Sequence, residues 1–165
     1  MLPEFYNSLF TMHASVMIFF AIIPILVGAF GNFLVPLQIG AHDMAFQRLN
    51  MISYWCFWPA PFIALAGFFV SGGAAATGWT AYPPLSAIEP VGQTFWIIAV
   101  LLVGSSSIMG AINYLTTILN MRAPGMTLWR MPIFEWAQTV TAVLLLLAFP
   151  PLEAASILQL MDRIA

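Results

Sequence analysis

Four long apolar stretches, Ala14 to Leu37, Met51 to Val70, Phe95 to Leu119 and Ile133 to Leu160, hold only two of the chain's four basic and six acidic residues, Glu135 and Glu153. The first is 24 residues long. At about 1.5 Å per residue it gives about 36 Å of helix, enough to cross a hydrocarbon core of about 30 Å. Inside a bilayer the backbone must satisfy its own hydrogen bonds, which leaves helices or a closed barrel. Tracts such as VLLLLAF run apolar without period-two alternation, so a barrel is a poor fit. With 62% hydrophobic and 6% charged residues there is too little polar surface to cover a water-soluble core. The predicted fold is all-α: a polytopic transmembrane bundle of four helices at about 14–37, 51–70, 95–119 and 133–160, embedded in a lipid bilayer.

Pro24 falls within the first span, Pro59 and Pro61 within the second, and Pro150 and Pro151 within the fourth; each removes a backbone donor and is expected to bend or loosen its helix. Gly28, Gly31 and the small run Gly104 to Ser107 suit close packing of helices or of a cofactor, packing being the plainer reading. Arg48, Arg122 and Arg130 fall in the loops 38–50 and 120–132, whereas the other side has only Arg163, so the positive-inside tendency puts those two loops inside and both ends of the chain outside. The opening LPEFYNSLF lacks a basic start and a small-residue cleavage site, and is expected to be an interfacial lead-in. Trp79, Tyr82, Trp96 and Trp129 near span ends suit an aromatic belt. The single Cys56 excludes an intrachain disulfide, and a chain without lysine offers no basic patch for nucleic acid.

His13, at the outer mouth of the first span, is one of the few side chains there able to hold a metal or a proton. Alone, such a histidine is more often a hydrogen-bonded structural residue than a ligand. His42 lies 29 residues further on, at the opposite membrane face, so one copy cannot bring both imidazoles to one iron. Asp43, beside it, is either a solvated loop acid or a proton collector. The second reading draws on polar groups that could continue inward: Asn32, Asn50, Ser53, Ser106, Ser107 and Asn113. Ser106 and Asn113 are seven apart and share a helix face. With ordered water they could conduct protons, or they could equally be helix-to-helix hydrogen bonds. Glu135 and Glu153, near opposite ends of the fourth span, are expected to reach the headgroup region and take no catalytic role.

The segments TMHASVMIFF, GNFLVPLQIGAHDMAF, GWTAYPPLS, SSIMGAINYLTTILNMRAPGMTL and FPPLEAASILQLMDR, taken together, closely resemble subunit I of the haem-copper oxidases, specifically of cytochrome c oxidase. The likeness runs over nearly the whole chain, residues 1–165 forming a partial subunit I domain that matches the second to fifth helices of a twelve-helix fold. The resemblance implies that His13 is an axial ligand of the low-spin haem a iron, with Tyr6 and Trp79 approaching the haem propionates. It implies that Asp43 is the entry acid of the D proton pathway, with Asn32, Asn50, Ser53, Ser106, Ser107 and Asn113 along it. The family usually has proline at the positions of His42 and Gln47, and often glycine at that of Ala14, so His42 bears on proton uptake at the entrance.

The second haem a histidine, the three copper-binding histidines, the cross-linked tyrosine and the glutamate ending the D pathway belong to parts of the family pattern outside this sequence. The resemblance therefore implies a fragment of subunit I, inactive alone. Its parent takes electrons from cytochrome c through haem a to a high-spin haem and copper centre, reduces oxygen to water and pumps protons. The implied partners are the remainder of subunit I, oxidase subunits II and III and cytochrome c; the implied location is a bacterial inner membrane. A quinol oxidase of the same superfamily is the nearest alternative. That branch tends to carry histidine and glutamine where this chain has Phe5 and Ser8, which favours cytochrome c as donor. A four-helix membrane protein without haem, serving a structural or assembly role, is the alternative from another class.

Overall fold

The structure, a computed structural model, describes residues 2–164, and its four long helices are Pro3–Ile39, Gln47–Phe69, Val91–Asn120 and Ile133–Ile164. All four are long and apolar enough to cross a membrane. They run up and down. Ala123 donates its backbone N–H to the Ile39 carbonyl (2.8 Å), which joins the first and third loops at one end. Ser8 Oγ donates to the Ala74 carbonyl (3.0 Å) and Arg163 to the carbonyls of Glu89 and Pro90 (2.9 and 2.8 Å), which joins the chain's two ends to the second loop at the other. Three of the four arginines lie at the first of these ends, hereafter the inner end.

The first helix begins eleven residues before the apolar stretch. Pro3 sits in the opening turn, where its missing N–H costs nothing, and Glu4 complements the positive end of the helix dipole. The lead-in is thus helical and continuous with the span. From Val16 to Ile22 and from Pro24 to Gly31 the winding is of the wider π type, returning to α from Asn32 to Ile39. Pro24 has no N–H to donate, and the looser winding around it is the form its effect takes. Gly40, at φ +75°, ends the helix in the left-handed conformation that glycine adopts without a Cβ clash, and Ala41 N–H closes on the Pro36 carbonyl (2.9 Å). The second helix passes from one segment to the next at Trp58, just before Pro59. The fourth runs on through Pro150 and Pro151 without a break.

The third helix is the hub. It packs extensively on both the second and the fourth. Two apolar clusters form around it, an outer one with Met12, Phe19, Trp96 and Val100, and an inner one with Val35, Ile39, Met44, Tyr114 and Ile118. Lipid is as apolar as leucine, so close packing and interhelical hydrogen bonds hold such contacts. Tyr114 supplies one, its hydroxyl donating to the Val27 carbonyl in the π-wound segment. Trp96 departs from the expected aromatic belt: it is buried, and its indole N–H donates to Ser15 Oγ (2.8 Å). Tyr82 and Trp129 are exposed as a belt requires.

Candidate functional site

The outer end is built on opposed faces of the first helix. On one face Ser8, Thr11, Met12 and Ser15 are buried. Thr11 Oγ1 accepts the Gly78 N–H (2.9 Å) and Ser15 Oγ accepts the Trp96 indole, so this face is fastened to the second loop and the third helix. On the other face His13 is exposed, with Leu9, Phe10, Val16 and Met17 exposed at the neighbouring i±3 and i±4 positions. Tyr6, seven residues earlier and 59% exposed, extends the same face outward by two turns. An imidazole set in an apolar, uncovered stripe has the chemistry and the flanks that a flat apolar macrocycle with a metal at its centre requires. Among the described residues no group of three or more His, Cys, Asp and Glu gathers at this end. Trp79 lies elsewhere at this end, its ring 6.2 Å from that of Phe19, and lines a groove with Trp96, Leu152 and Gln159.

The inner end is organised by a loop clamp. Asn113 Oδ1 accepts the Phe46 N–H (2.8 Å) while its amide donates to the Phe46 carbonyl (3.3 Å). One turn on, Thr117 Oγ1 accepts the Ala45 N–H (2.9 Å) and donates to the Asn113 carbonyl (2.7 Å). Both side chains are fully buried, and together they hold the first loop on the foot of the third helix. Asp43 and His42 stand exposed on that loop, and Asp43 Oδ1 accepts the Met44 N–H (2.7 Å), which leaves the other carboxylate oxygen to solvent.

Above the clamp, Ser53 Oγ donates to the Ser106 carbonyl and Ser106 Oγ to the Ser53 carbonyl (both 2.8 Å), the two hydroxyl oxygens lying 3.0 Å apart. Ser106 and Ser107 then open on a cavity of about 80 Å³, lined also by Pro24, Gly28, Phe57 and Leu145 and large enough for a few water molecules. Asn32 donates to the Gly28 carbonyl (2.6 Å), and its buried Oδ1 has no protein partner among the described residues. Asn50 is half-buried in the first turn of the second helix. The polar residues singled out in the sequence thus fall at the inner end and along one side of the third helix, and several of them are also interhelical ties.

Two carboxylates depart from the interfacial positions expected of them. Glu135 is fully buried, with neither oxygen partnered among the described residues. Glu153 lies against Gly104, midway along the third helix, where an added Cβ would collide with its Oε1. Because the fourth helix continues through Pro150 and Pro151, Glu153 stands at membrane depth rather than beyond a helix end. Thr117 was missed in the sequence, although its i+4 spacing from Asn113 was there to be read.

Comparison with known proteins places this arrangement. The profile of the family described as Cytochrome C and Quinol oxidase polypeptide I matches residues 1–165. The chain is 50% identical over 163 residues to a probable cytochrome c oxidase subunit 1-beta of Nocardia farcinica, covering 97% of this chain and 28% of that protein. It is 49% identical over 164 residues to cytochrome c oxidase subunit 1 of a Synechocystis species, covering 99% and 29%. A cytochrome c oxidase subunit 1 of Thermostichus vulcanus is 47% identical over 161 residues, covering 97% and 29%. The chain therefore spans less than a third of the length of these bacterial relatives, and four membrane-spanning helices with such a match from end to end make it part of an oxidase subunit I, a member of the cytochrome c and quinol oxidase polypeptide I family.

Proposed function

We propose that this chain supplies one axial ligand of the low-spin haem and the inner entrance of a proton pathway to a cytochrome c oxidase. The observation that carries this is the placement of two chemistries at opposite ends of one helix. His13 stands on an uncovered apolar face at the outer end, and Asp43 follows the same helix at the inner end, on a loop fastened to Asn113 and Thr117. His13 would hold the iron of haem a, and Tyr6 on the same face would meet the outward edge of the macrocycle. The haem supplies one-electron chemistry when bound. The chain's own residues orient it: the Thr11 and Ser15 hydrogen bonds fix the rotation of the first helix and so the direction of the His13 ring.

At the inner end Asp43 collects a proton from water and passes it toward Asn113, the Ser53 and Ser106 pair and the cavity at Ser107, with Asn32 and Asn50 flanking the loop. The parent oxidase, completed by the remainder of subunit I and by subunits II and III, takes electrons from cytochrome c, reduces oxygen at a high-spin haem and copper centre and pumps protons. Expression of the chain alone and together with the remainder of its subunit, followed by a pyridine haemochrome assay, tests the reading. Haem is expected only with the remainder, because one imidazole leaves the second axial position without a protein ligand. Stoichiometric bis-histidine haem in the monomeric chain alone would overturn it.

A further inference from the structure

The fourth helix places a carboxyl group, Glu153, at membrane depth with no role in the pathway described above. Its Oε1 is buried and has no hydrogen-bond partner among the described residues. The third helix makes room for it. A Cβ at Gly104 would occupy the space of Oε1, and neither the third helix nor the single turn Leu85–Ile88 that also packs on the fourth carries a charged residue to neutralise it. An ionised carboxylate left so is costly, whereas a carboxyl that carries a proton is tolerated.

The surroundings connect it to the polar track. Ser107 is three residues from Gly104 on neighbouring positions of one helix face, an axial step of about 4.5 Å. Ser106 and Ser107 both open on the cavity that Leu145 closes from the fourth helix. Phe149, one turn from Leu145 and one turn from Glu153, also packs at Gly104 and so stands between the cavity and the carboxyl.

We propose that Glu153 is a proton-carrying station that receives protons from the water-sized cavity at Ser106 and Ser107 and releases them outward, with the Phe149 ring as the barrier between. The carboxylate gains a proton from a protonated water cluster in the cavity and becomes the acid; it returns to carboxylate on handing the proton to water on its outer side, and no electron moves. The proposal rests on the reading of Asp43 as the pathway entrance.

The test uses the intact oxidase containing this chain, with Glu153→Gln, Glu153→Asp and Asp43→Asn compared by two measurements. These are proton uptake from the inner side, followed with an indicator dye, and infrared difference spectra in H2O and D2O. Glu153→Gln should slow uptake on the order of a hundredfold, the lower end of what a positioned proton-transfer group contributes, and remove one deuterium-sensitive protonated-carboxyl band, with the low-spin haem spectrum unchanged. Glu153→Asp should restore part of the rate and a shifted band. Wild-type uptake and an unchanged band in Glu153→Gln, with uptake still slowed in Asp43→Asn, would overturn the station and leave the entrance standing. Wild-type uptake in both variants would overturn both. Loss of uptake in Glu153→Gln without the band change, and without rescue in Glu153→Asp, would make the residue a packing element and also overturn the proposal.

Discussion

The first and third helices are both long and apolar, yet they treat their polar residues in opposite ways. In the most apolar part of the third helix 39% of residues are buried within the chain; in the first the share is 17%. The third helix spends Asn113, Thr117 and Ser106 on hydrogen bonds to other segments of the same chain. The first helix uses Ser8, Thr11 and Ser15 in the same way on one face and leaves His13 uncovered on the other. A membrane helix that ties its polar residues to several other segments is a structural hub. One that keeps a metal-capable side chain in an uncovered apolar stripe leaves that face open to a further partner, which in the function proposed above is a haem with the remaining helices of subunit I.

The contrast can be broken most severely at its inner end. Asp43→Asn in the assembled oxidase should abolish proton pumping and slow turnover, because an amide neither gathers nor releases a proton, whereas Asp43→Glu should keep much of both. Pumping measured in reconstituted vesicles decides it, and unchanged pumping in Asp43→Asn would make the residue an ordinary loop acid.

Removing the clamp sharpens the claim that the third helix is a hub. Asn113→Ala leaves the Phe46 N–H and carbonyl without their side-chain partner, and thermal unfolding should show a loss of about 1–3 kcal/mol. A similar loss is expected for Thr117→Val, which frees the Ala45 N–H. A stability within about 0.5 kcal/mol of the parent would show that the loop is held by something other than these two side chains.

A smaller effect separates the two glycines of the π-wound segment. A Cβ on Gly31 would lie 2.8 Å from the Tyr114 hydroxyl, whereas one on Gly28 would meet only Pro24 Cβ at 4.0 Å. Gly31→Ala should therefore cost about 1–3 kcal/mol and Gly28→Ala less than about 0.5 kcal/mol in the same unfolding experiment. Equal effects would mean that the Tyr114 tie does not fix the first helix against the third.

Much of this was legible in the sequence, and what was not has identifiable causes. The four spans follow from apolar runs almost free of charge. The helical start at Pro3 was hidden because hydropathy marks the membrane-embedded part of a helix and not its end. Pro150 and Pro151 suggested a bent or loosened fourth span, and a position near the span's end suggested an interfacial Glu153; the helix runs on through both prolines, and Glu153 faces Gly104 instead. Hydrogen bonds such as Asn113 to Phe46 join positions 67 apart, and no local pattern encodes which of many polar residues will meet. Trp96 was assigned to the membrane surface on span-end position alone, and its partner Ser15 lies 81 residues away.

The uncovered face of the first helix is the centre of the account, and the low-spin haem spectrum tests it most directly. In the assembled oxidase, His13→Ala should abolish the six-coordinate low-spin haem signal in optical and magnetic circular dichroism spectra, because the iron loses one of two axial nitrogens and the exposed neighbours Leu9, Phe10, Val16 and Met17 offer no nitrogen in its place. A bis-histidine low-spin haem retained in His13→Ala would contradict the account.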